Sequence, residues 1–596
     1  MLPLAAALSL SLLAPPASGW DRYEHEIDGV IHAIRAFQHE DGSYGSGLSD
    51  TCRVLDAFGH SPRRYTDLDG PFVRKAATVV AAAQPDPQTD ALVVLALAGC
   101  LTPPLAEARE KALDRLAGAR GPMTYERALA LRTFRPDALA PAPPVAGDVA
   151  LSCLLAEDPA SIAAPAVTDG AAWSRWGRAA LLRGLSPKVA PDAPQPAPDA
   201  SLAELLAALE TFNVLAAIDL PEAGAPAPDA AARPARVPAG QDVTAALERS
   251  WAFLESRQKD GTFGMDLPGF DGPEPGITAL DLSATCWLAE RLGRPRPEWV
   301  SKGLDYLVGL QKPDGAIAEY GLDVYTTSVA IEALLAGGRA QDRPVIERAR
   351  QYLVAAQFDE GEGYSLEADP FFGGIGYEDG ERPDLSNTQM ALEAATRAGT
   401  PADDAMYRKA LVFLERCQNL SERQAVSWPR LDGGRTVAAN DGGAIYMPGG
   451  SQAGEVQAGE GLWQARSYGS MTYALVKSYL FCGVPADDAR VQAAVRWLGR
   501  NFTVEHNPGF VTPAEQAQGL YYYYLALART LRMLPEPGLT GPDGEAIDWR
   551  AQLVRKLLDE QRTDGSWINE GSRRWWEGAP TLSTPFALLA LAAAGA

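Results

Sequence analysis

Three aspartates occupy similar positions in three apolar stretches of the C-terminal half. Asp281, Asp323 and Asp384 each stand four residues before a threonine, in DLSAT, DVYTT and DLSNT. One interpretation is structural, because an aspartate at a helix start accepts hydrogen bonds from the free amides of the first turn. The other is chemical: parallel helices whose N-termini meet would gather these carboxylates at one mouth, where they could act as acids on a ligand. On this interpretation Asp323 and Asp384 are candidate catalytic residues.

Two long segments that precede such helices carry further candidates. They run from Asp369 to Gln389 and from Asn440 to Tyr473, and they combine many glycines with aromatic and charged residues. Insertions on one face of a repeat array often form a binding surface, and glycine lets the backbone approach a ligand closely. Asp441 is the third candidate acid. The predicted ligand-binding residues of the whole site are Tyr325, Asn387, Gln389, Tyr446, Arg466, Tyr468, Tyr473 and Tyr522.

The elements that must position these residues are two alternating sets of helices. Six stretches are amphipathic, as in AALERSWAFLESRQ, where Leu247, Trp251 and Leu254 recur at helical spacing. Six others are apolar nearly all round, as in DVYTTSVAIEALLAG and STPFALLALAAAG. A helix without a polar face has to be covered on all sides. The alternation therefore predicts an all-α structure, an (α/α)6 toroid in which an outer ring of helices surrounds an inner one.

A short phrase returns at the ends of the amphipathic helices. It reads QHEDGSYG from Gln38, QKDGTFG from Gln258, QKPDGA from Gln311 and QRTDGSW from Gln561, and it is less regular in QFDEGEGY from Gln357. The glycine supplies a turn that stops the helix, and the Gln and Asp side chains can bond free backbone groups there. These features predict a structural role for the phrase, which would hold successive helical hairpins together.

The repeated phrases resemble the QW-type repeats of the prenyltransferase and squalene–hopene cyclase superfamily, whose members fold as α/α toroids. The resemblance covers about Val243 to Ala596, and more weakly 20–220 through QHEDGSYG followed by LSDTCRVLDAFG. RPDLSNTQ and RSYGSMTY also resemble segments of an exported branch with the same repeats. The resemblance implies a toroid that binds a ligand in its central cavity, with possible terpenoid-cyclase-like chemistry; it does not fix the reaction.

The reaction motifs known in this superfamily are absent from the sequence. There is no DxDD acid motif, no DDxxD box for a magnesium diphosphate, and no GCGEQ-like thioester sequence. The six cysteines form no CxxC pair, and the five histidines offer no zinc-ligand cluster. The sequence thus predicts no metal and no cofactor, and a direct transfer of a family activity fails.

Three functional hypotheses follow. The first is an isoprenoid or polycyclic-lipid enzyme or binder, with aromatic side chains that stabilise carbocations and one of the three aspartates as the acid. The second is a glycan-active toroid, in which Asp384 and Asp441 would form a carboxylate pair roughly 5–9.5 Å apart, with Tyr468 and Arg466 positioning the sugar. The third is a non-catalytic scaffold that binds a partner at the mouth.

Composition divides the chain and limits its partners. A signal peptide is expected at 1–19, an N-terminal α-helical repeat domain at 20–220, a Pro/Ala-rich linker at 221–242 and the toroid at 243–596. Export to the periplasm or the exterior is the corresponding expectation, and no further stretch is long enough to span a membrane. The net charge of −23 argues against nucleic acid as a partner. A small molecule or glycan is the predicted ligand, and the oligomeric state is open.

Overall fold

The computed structural model describes most of the chain between residues 23 and 596. The described residues are 23, 27, 29–83, 86–166, 168, 170–185, 187, 190–197, 199–218, 236, 242–265, 272–319, 322–367, 369–377, 382–423, 426–430, 433–572 and 574–596. The expected signal peptide lies outside them, as does all of the linker except Arg236 and Asp242. Export and the character of the linker therefore stay predictions.

Contacts between residues divide the chain into two compact units. Unit 1 comprises Met1–Ala223 with the short segments Glu367–Asp369 and Pro429–Gly434, and unit 2 comprises the rest. The described helices of unit 1 are α1 (Leu48–His60), α2 (Pro71–Ala81), α3 (Pro87–Ala96), α4 (Pro103–Gly118), α5 (Tyr125–Phe134), α6 (Val149–Leu155), α7 (Gly170–Leu182) and α8 (Leu202–Ala216).

Unit 1 forms a closed circuit of helices. In order, α1 packs on α3, α3 on α5, α5 on α6, α6 on α7, α7 on α8, and α8 returns to α1. The α2 and α4 helices pack on the outside of this circuit, against α1, α3 and α5. Large side chains such as Phe58, Trp173 and Phe212 are fully buried in its core. The N-terminal half thus has its own hydrophobic core.

Unit 2 contains twelve long helices among its described residues, as the sequence predicts. They are α9 (Val243–Arg257), α10 (Pro275–Arg291), α11 (Glu298–Gly309), α12 (Asp323–Gly337), α13 (Arg343–Ala355), α14 (Leu385–Arg397), α15 (Ala405–Cys417), α16 (Gly469–Phe481), α17 (Ala489–Asn501), α19 (Leu520–Met533), α20 (Trp549–Glu560) and α21 (Pro580–Ala594). A one-turn helix, α18 (Pro513–Gln516), precedes α19.

Six of these helices form a closed inner ring. The α10 helix packs on α12, α12 on α14, α14 on α16, α16 on α19, α19 on α21, and α21 on α10 again. The helices between them in the chain lie outside; α11, for example, contacts both α10 and α12. The outer α11 buries a single stripe that contains Val300, Leu304 and Leu307, whereas α12 buries all nine residues from Thr326 to Leu334 and so has no exposed face there. The all-α toroid predicted from this alternation is confirmed.

A glutamine after four of the outer helices joins each of them to the next outer helix. The Nε2 atoms of Gln311, Gln357, Gln418 and Gln561 donate to a glycine carbonyl of the following turn and to a carbonyl early in the next outer helix, at 2.9–3.2 Å. For Gln561 that next helix is α9, because its partner is Ala246. The last repeat is thereby bonded to the first, and the same contact that joins neighbours also closes the ring.

A buried threonine gives five inner helices a common register. Its Oγ1 accepts a hydrogen bond from a backbone amide of the preceding turn segment, at 2.9–3.1 Å. The five residues are Thr278, Thr327, Thr388, Thr472 and Thr584. Because they sit at equivalent places, positions on different inner helices can be compared by counting from this threonine.

The glycine of the repeat packs against the backbone of the next outer helix. Gly565 has φ +91°, and a Cβ there would overlap the Arg249 carbonyl and lie 2.8 Å from the Ser250 amide nitrogen. Gly544 has a similar φ of +84° but no atom within 4 Å of such a Cβ. We expect Gly565→Ala to lower the free energy of unfolding by about 3 kcal/mol and Gly544→Ala by about 1 kcal/mol, as measured by chemical denaturation. Equal losses would mean that the close approach does not matter.

In their described residues, the second long insert and the segment just before it contain four strands, which the sequence did not lead us to predict. They are β1 (Ser427–Pro429), β2 (Arg435–Val437), β3 (Glu455–Gly459) and β4 (Leu462–Ala465), in the order β1-β2-β4-β3. The β2 strand runs parallel to β4, and β3 runs antiparallel to it. None of the described helices has the length and apolar character that a bilayer crossing requires.

Candidate functional site

The inner helices of unit 2 present one stripe each to the centre of the ring. On α12, Tyr325, Val329 and Glu332 lie on one helix face, because they are four and three residues apart. Glu332 bonds Arg529 of α19, which lies three places away from α12 in the ring, so this face points to the ring axis. The same positions counted from the register threonine on the other inner helices therefore also face the lumen.

The lumen begins at a rim of polar residues two places before the register threonine. On α12, α14 and α16 these residues are Tyr325, Ser386 and Ser470, and Tyr522 takes the place on α19. The Tyr522 hydroxyl lies 2.8 Å from Ser386 Oγ, and it accepts a hydrogen bond from Gln389 Nε2 at 3.1 Å. Since α16 separates α14 from α19 in the ring, Tyr522 reaches across part of the mouth. Tyr522 and Gln389, both predicted ligand-binding residues, are brought together here.

Asp384 is a buried acid at this mouth. It is 1% exposed and caps α14, where its carboxylate accepts from the Asn387 amide at 2.8 Å and from Asn387 Nδ2 at 2.7 Å. Burial raises the pKa of Asp384 to about 6, against the lowering effect of hydrogen bonds from Asn387 and Tyr446. No described cation pairs with it. Asp384 therefore combines the capping role with a pKa suited to proton transfer near neutral pH.

Tyr446, Tyr468 and Tyr522 lie near the Asp384 carboxyl. Burial raises the pKa of Tyr446 and Tyr468, and the nearby Asp384 charge raises each of them further. Burial likewise raises the pKa of Tyr325, and the nearby phenols of Tyr522 and Tyr377 raise it further. These phenols are thus neutral at physiological pH and can donate hydrogen bonds. Four of the predicted ligand-binding tyrosines, Tyr325, Tyr446, Tyr468 and Tyr522, belong to this cluster around the mouth.

The other two candidate acids lie in different surroundings. Asp323 begins α12 and forms an ion pair with Lys312 at 2.5 Å. Asp441 is exposed, and it accepts from the Gly443 amide at 2.9 Å and from Ser467 Oγ at 2.8 Å. Asp314 and Asp564 make the same bond to the amide two residues on. Asp441 is therefore the turn aspartate of the fourth repeat, separated from Gln418 by an insert.

Three further candidates are distributed around the same helices. Tyr473 is 1% exposed and packs against Tyr523, with ring centroids 5.7 Å apart. Asn387 is fully buried beside Asp384, and its Oδ1 has no partner among the described residues. Arg466 is half-buried after β4, where its amide donates to the Gly454 carbonyl at 2.9 Å. No described contact joins Arg466 to Asp384.

Sequence reasoning missed a second buried acid, Glu577. It is 1% exposed; its Oε1 accepts from the Tyr522 amide at 2.8 Å and its Oε2 from Asn569 Nδ2 at 2.7 Å. Burial raises the pKa of Glu577 to about 7, although hydrogen bonds to the first turn of α19 oppose the rise. Glu577 caps a helix to which it does not belong, so no local sequence signal could have found it.

A network of charged side chains lies two helical turns below the rim. We call Glu332, Glu393, Lys477 and Arg529 the floor; the first three stand five residues after a register threonine, and all four stand seven residues after a rim residue. The Arg529 guanidinium bonds Glu332 at 2.7 and 3.2 Å and lies 3.2 Å from Glu393, which also pairs with Lys477. The signal was in the sequence: each of these four largely apolar helices carries a charged residue at this place, away from its ends.

Between rim and floor the inner face is apolar. This middle layer lies two places after the register threonine, or four places after Tyr522 on α19. Its residues are at most 5% exposed: Leu280, Val329, Met390, Ala474, Ala526 and Phe586. The side chains that face the ring axis therefore change from polar to apolar to charged along it. Among the described residues, no three His, Cys, Asp or Glu side chains are grouped as a metal site requires.

Asp281 does not belong to this site, and the expectation that it caps a helix is wrong. It lies inside α10, which begins at Pro275, and Thr278 rather than Thr285 is the register threonine of that helix. Asp281 is fully buried, and neither carboxylate oxygen has a hydrogen-bond partner among the described residues. Burial raises the pKa of Asp281 well above its ordinary value of 3.8.

We expect Asp281→Asn to remove a pH-dependent loss of stability. An acid whose pKa is raised by folding holds its proton more tightly in the folded chain, so the stability of the wild type falls as pH rises above 3.8 toward the folded-state pKa. The free energy of unfolding of the variant should exceed that of the wild type by an amount that grows by about 1.4 kcal/mol per pH unit in this window. Denaturation at several pH values tests this, and a constant difference would contradict it.

Comparisons with known proteins give weak likenesses in structure alone. No protein-family model matches the sequence, and no curated protein matches it. A protein from Actinoplanes is 18% identical, over 60% of this chain and 100% of its own, with a TM-score of 0.35. The type II terpene cyclase MstE from Scytonema is 15% identical over 59% and 97%, with a TM-score of 0.35. An ent-copalyl diphosphate synthase from Streptomyces platensis is 14% identical over 78% of this chain and 100% of its own, with a TM-score of 0.23.

These TM-scores are too low to support a statement about this chain. The assignment of a toroid rests instead on the closed circuit of inner helices and on the hydrogen bonds from Gln561 to α9. What the ring does has to be inferred from its own residues.

Proposed function

We propose that the ring of unit 2 binds an apolar, unsaturated ligand of the isoprenoid class and that Asp384 protonates it. The protein would then be a terpenoid-cyclase-like isomerase that uses a single aspartate in place of a DxDD motif. The observation that carries the proposal is Asp384 itself: buried, without a described cation partner, and with a pKa raised to about 6 by burial. Asp323, paired with Lys312, and Asp441, exposed in a turn, do not share this combination.

The middle layer supports an apolar ligand. Its six side chains are apolar and offer no strong hydrogen-bonding group, so a glycan at this depth would lose its bonds to water without replacement. Above it, Gln389 Oε1 is buried and has no partner among the described residues, so it can accept a hydrogen bond from a ligand hydroxyl. A ligand with an apolar body and one hydroxyl end fits both features.

The proposed step moves one proton. The Asp384 hydroxyl transfers its proton to one carbon of a carbon–carbon double bond, the alkene electron pair forms the new C–H bond, and the other carbon becomes cationic. The tyrosine rings around Asp384 can stabilise this cation electrostatically. Ring closure by a second double bond, followed by loss of a proton to water, gives an isomer of the substrate. The Asp384 carboxylate then regains its proton from solvent.

The test uses geraniol, farnesol and geranylgeraniol with the purified protein. We expect a product of unchanged mass, detected by gas chromatography and mass spectrometry, and a rate that falls tenfold per pH unit above about 6 as Asp384 loses its proton. Absence of both binding and conversion would overturn the proposal. Binding without conversion would indicate a non-catalytic carrier instead.

The structure gives no particular support to the glycan alternative. Hydrolysis requires two carboxylates that face one ligand, roughly 5–9.5 Å apart. The proposed partner of Asp384, Asp441, is bonded to Gly443 and Ser467 in a repeat turn. Arg466, expected to position the sugar, has no described contact with Asp384.

A further inference from the structure

The floor of the lumen is held by contacts between helices on opposite sides of the ring. In the order α10, α12, α14, α16, α19 and α21, the α12 and α19 helices are three places apart in either direction. Glu332 of α12 and Arg529 of α19 nevertheless form a two-point ion pair at 2.7 and 3.2 Å. Their side chains must meet over the ring axis, so the lumen is crossed at this level.

Neighbouring charges fill the rest of this level. Lys477, 2% exposed, pairs with Glu393, which also lies 3.2 Å from Arg529 Nη1. Arg397 Nη1 adds a contact to Glu332 at 3.2 Å. The acids are thus each held by two or more cations. Burial by itself would raise the pKa of Glu393, but Arg529 and Lys477 together lower it below its ordinary range.

The distance from rim to floor is set by helix geometry. Tyr325 and Glu332, Ser386 and Glu393, Ser470 and Lys477, and Tyr522 and Arg529 are each seven residues apart. At 1.5 Å per residue this spacing corresponds to about 10 Å of depth. The apolar middle layer lies within this interval, between the rim and the floor.

We propose that the Glu332–Arg529 pair makes the lumen a blind cup and limits the length of the ligand it accepts. This inference rests on the proposed function for the site but concerns a different property of it. A ligand enters and leaves by the tyrosine rim, and its apolar part is no longer than the rim-to-floor interval. An extended chain of two isoprene units has about this length, so the natural ligand is short or binds folded. Glu332 and Arg529 act as specificity-determining residues, not as catalytic ones.

The experiment uses straight-chain primary alcohols as a ruler that does not depend on isoprenoid chemistry. Binding of 1-octanol and 1-hexadecanol is measured by calorimetry on the full-length protein. If every added methylene increased the affinity equally, hexadecanol would bind more tightly than octanol by a fixed factor. We expect the wild type to bind hexadecanol at least tenfold more weakly than this extrapolation gives, and we call the shortfall the cutoff. The double variant Glu332→Ala/Arg529→Ala removes one acid and its cation together. It should open the floor and abolish the cutoff, so that hexadecanol binds with the extrapolated affinity. Glu347→Ala/Arg350→Ala, an ion pair on the outer helix α13, is the matched control and should leave the cutoff unchanged.

Each outcome decides something. A folded double variant, checked by circular dichroism, that keeps the wild-type cutoff overturns the inference, as does a control variant that loses it. If the double variant does not fold, Glu332→Gln with Arg529→Gln, which removes the charges and shortens the Arg529 side chain, must weaken the cutoff; a wild-type cutoff in this variant overturns the inference. If no alcohol binds to any variant, no apolar ligand reaches the floor and the inference fails. A moved cutoff together with absent isoprenoid conversion would uphold the blind cup and refute the proposed reaction instead.

Discussion

Asp384→Asn is expected to lower the rate of isoprenoid conversion by about 10²–10⁴-fold while leaving ligand binding nearly unchanged. The asparagine keeps the size of the side chain and can still accept hydrogen bonds from the first turn of α14 through its amide oxygen. It carries no transferable proton, so the initiating step is lost. Turnover of the prenyl alcohol and its dissociation constant, measured on the same preparations, separate these two effects.

Matched aspartates on the same ring serve as controls. Asp323→Asn and Asp441→Asn change the same atoms at two other candidate positions, one paired with Lys312 and one in a repeat turn. Both variants should retain turnover within a few-fold. A comparable loss of turnover in either variant would contradict the assignment of Asp384 as the proton donor. The wild-type rate should also fall as pH rises above about 6, and the small residual activity of Asp384→Asn should lack this dependence.

Lys477→Met is expected to destabilise the protein by about 3–5 kcal/mol, because it leaves Glu393 buried with one ion-pair partner fewer. Lys477 is 2% and Glu393 5% exposed, so water cannot compensate for the lost ammonium. The free energy of unfolding from chemical denaturation gives the magnitude. The loss should shrink as pH falls, since the lowered pKa of Glu393 stabilises the fold above its unfolded value of 4.5 and less so below it.

The paired variant distinguishes charge from packing. Lys477→Met combined with Glu393→Leu removes both charges and should recover most of the lost stability, because well-packed apolar residues can replace a buried ion pair. Arg350→Met, which breaks an ion pair with the exposed Glu347, should have a much smaller effect than Lys477→Met. A double variant as unstable as the single one would show that the Lys477 side chain matters for its shape and not for its charge.

The repeats made the fold predictable because their information is local. Each outer helix buries one face, and each inner helix is buried on nearly all sides. Both hydrophobic patterns can be recognised in a window of about a dozen residues. The Gln-x-x-Asp-Gly phrase marks where one helix ends, and in the structure Gln311 and Gln561 make the same pair of bonds to their surroundings. The small sheet of β1–β4 was not anticipated, since its strands are short and lie in and just before a glycine-rich insert.

The site was only partly predictable, as three residues show. Asp384 was recognised from its place before a helix, and it caps α14 in the structure. Asp281, in the similar motif DLSAT, lies inside α10 and caps no helix. Glu577 caps α19 from a separate loop and gave no pattern to read. The predicted roles of Arg466, Asp323 and Asp441 stay predictions.

By itself the sequence determined the number, length and alternation of the helices of unit 2, because burial on one face or on all faces is written in neighbouring residues. Only the tertiary structure decided which carboxyl is buried at the mouth and which charges meet over the axis. Glu332 and Arg529 are 197 positions apart in the chain, and they become partners only because six helices close into a ring. Solvation and ion pairing depend on distances in space, and these exist only after the chain has folded.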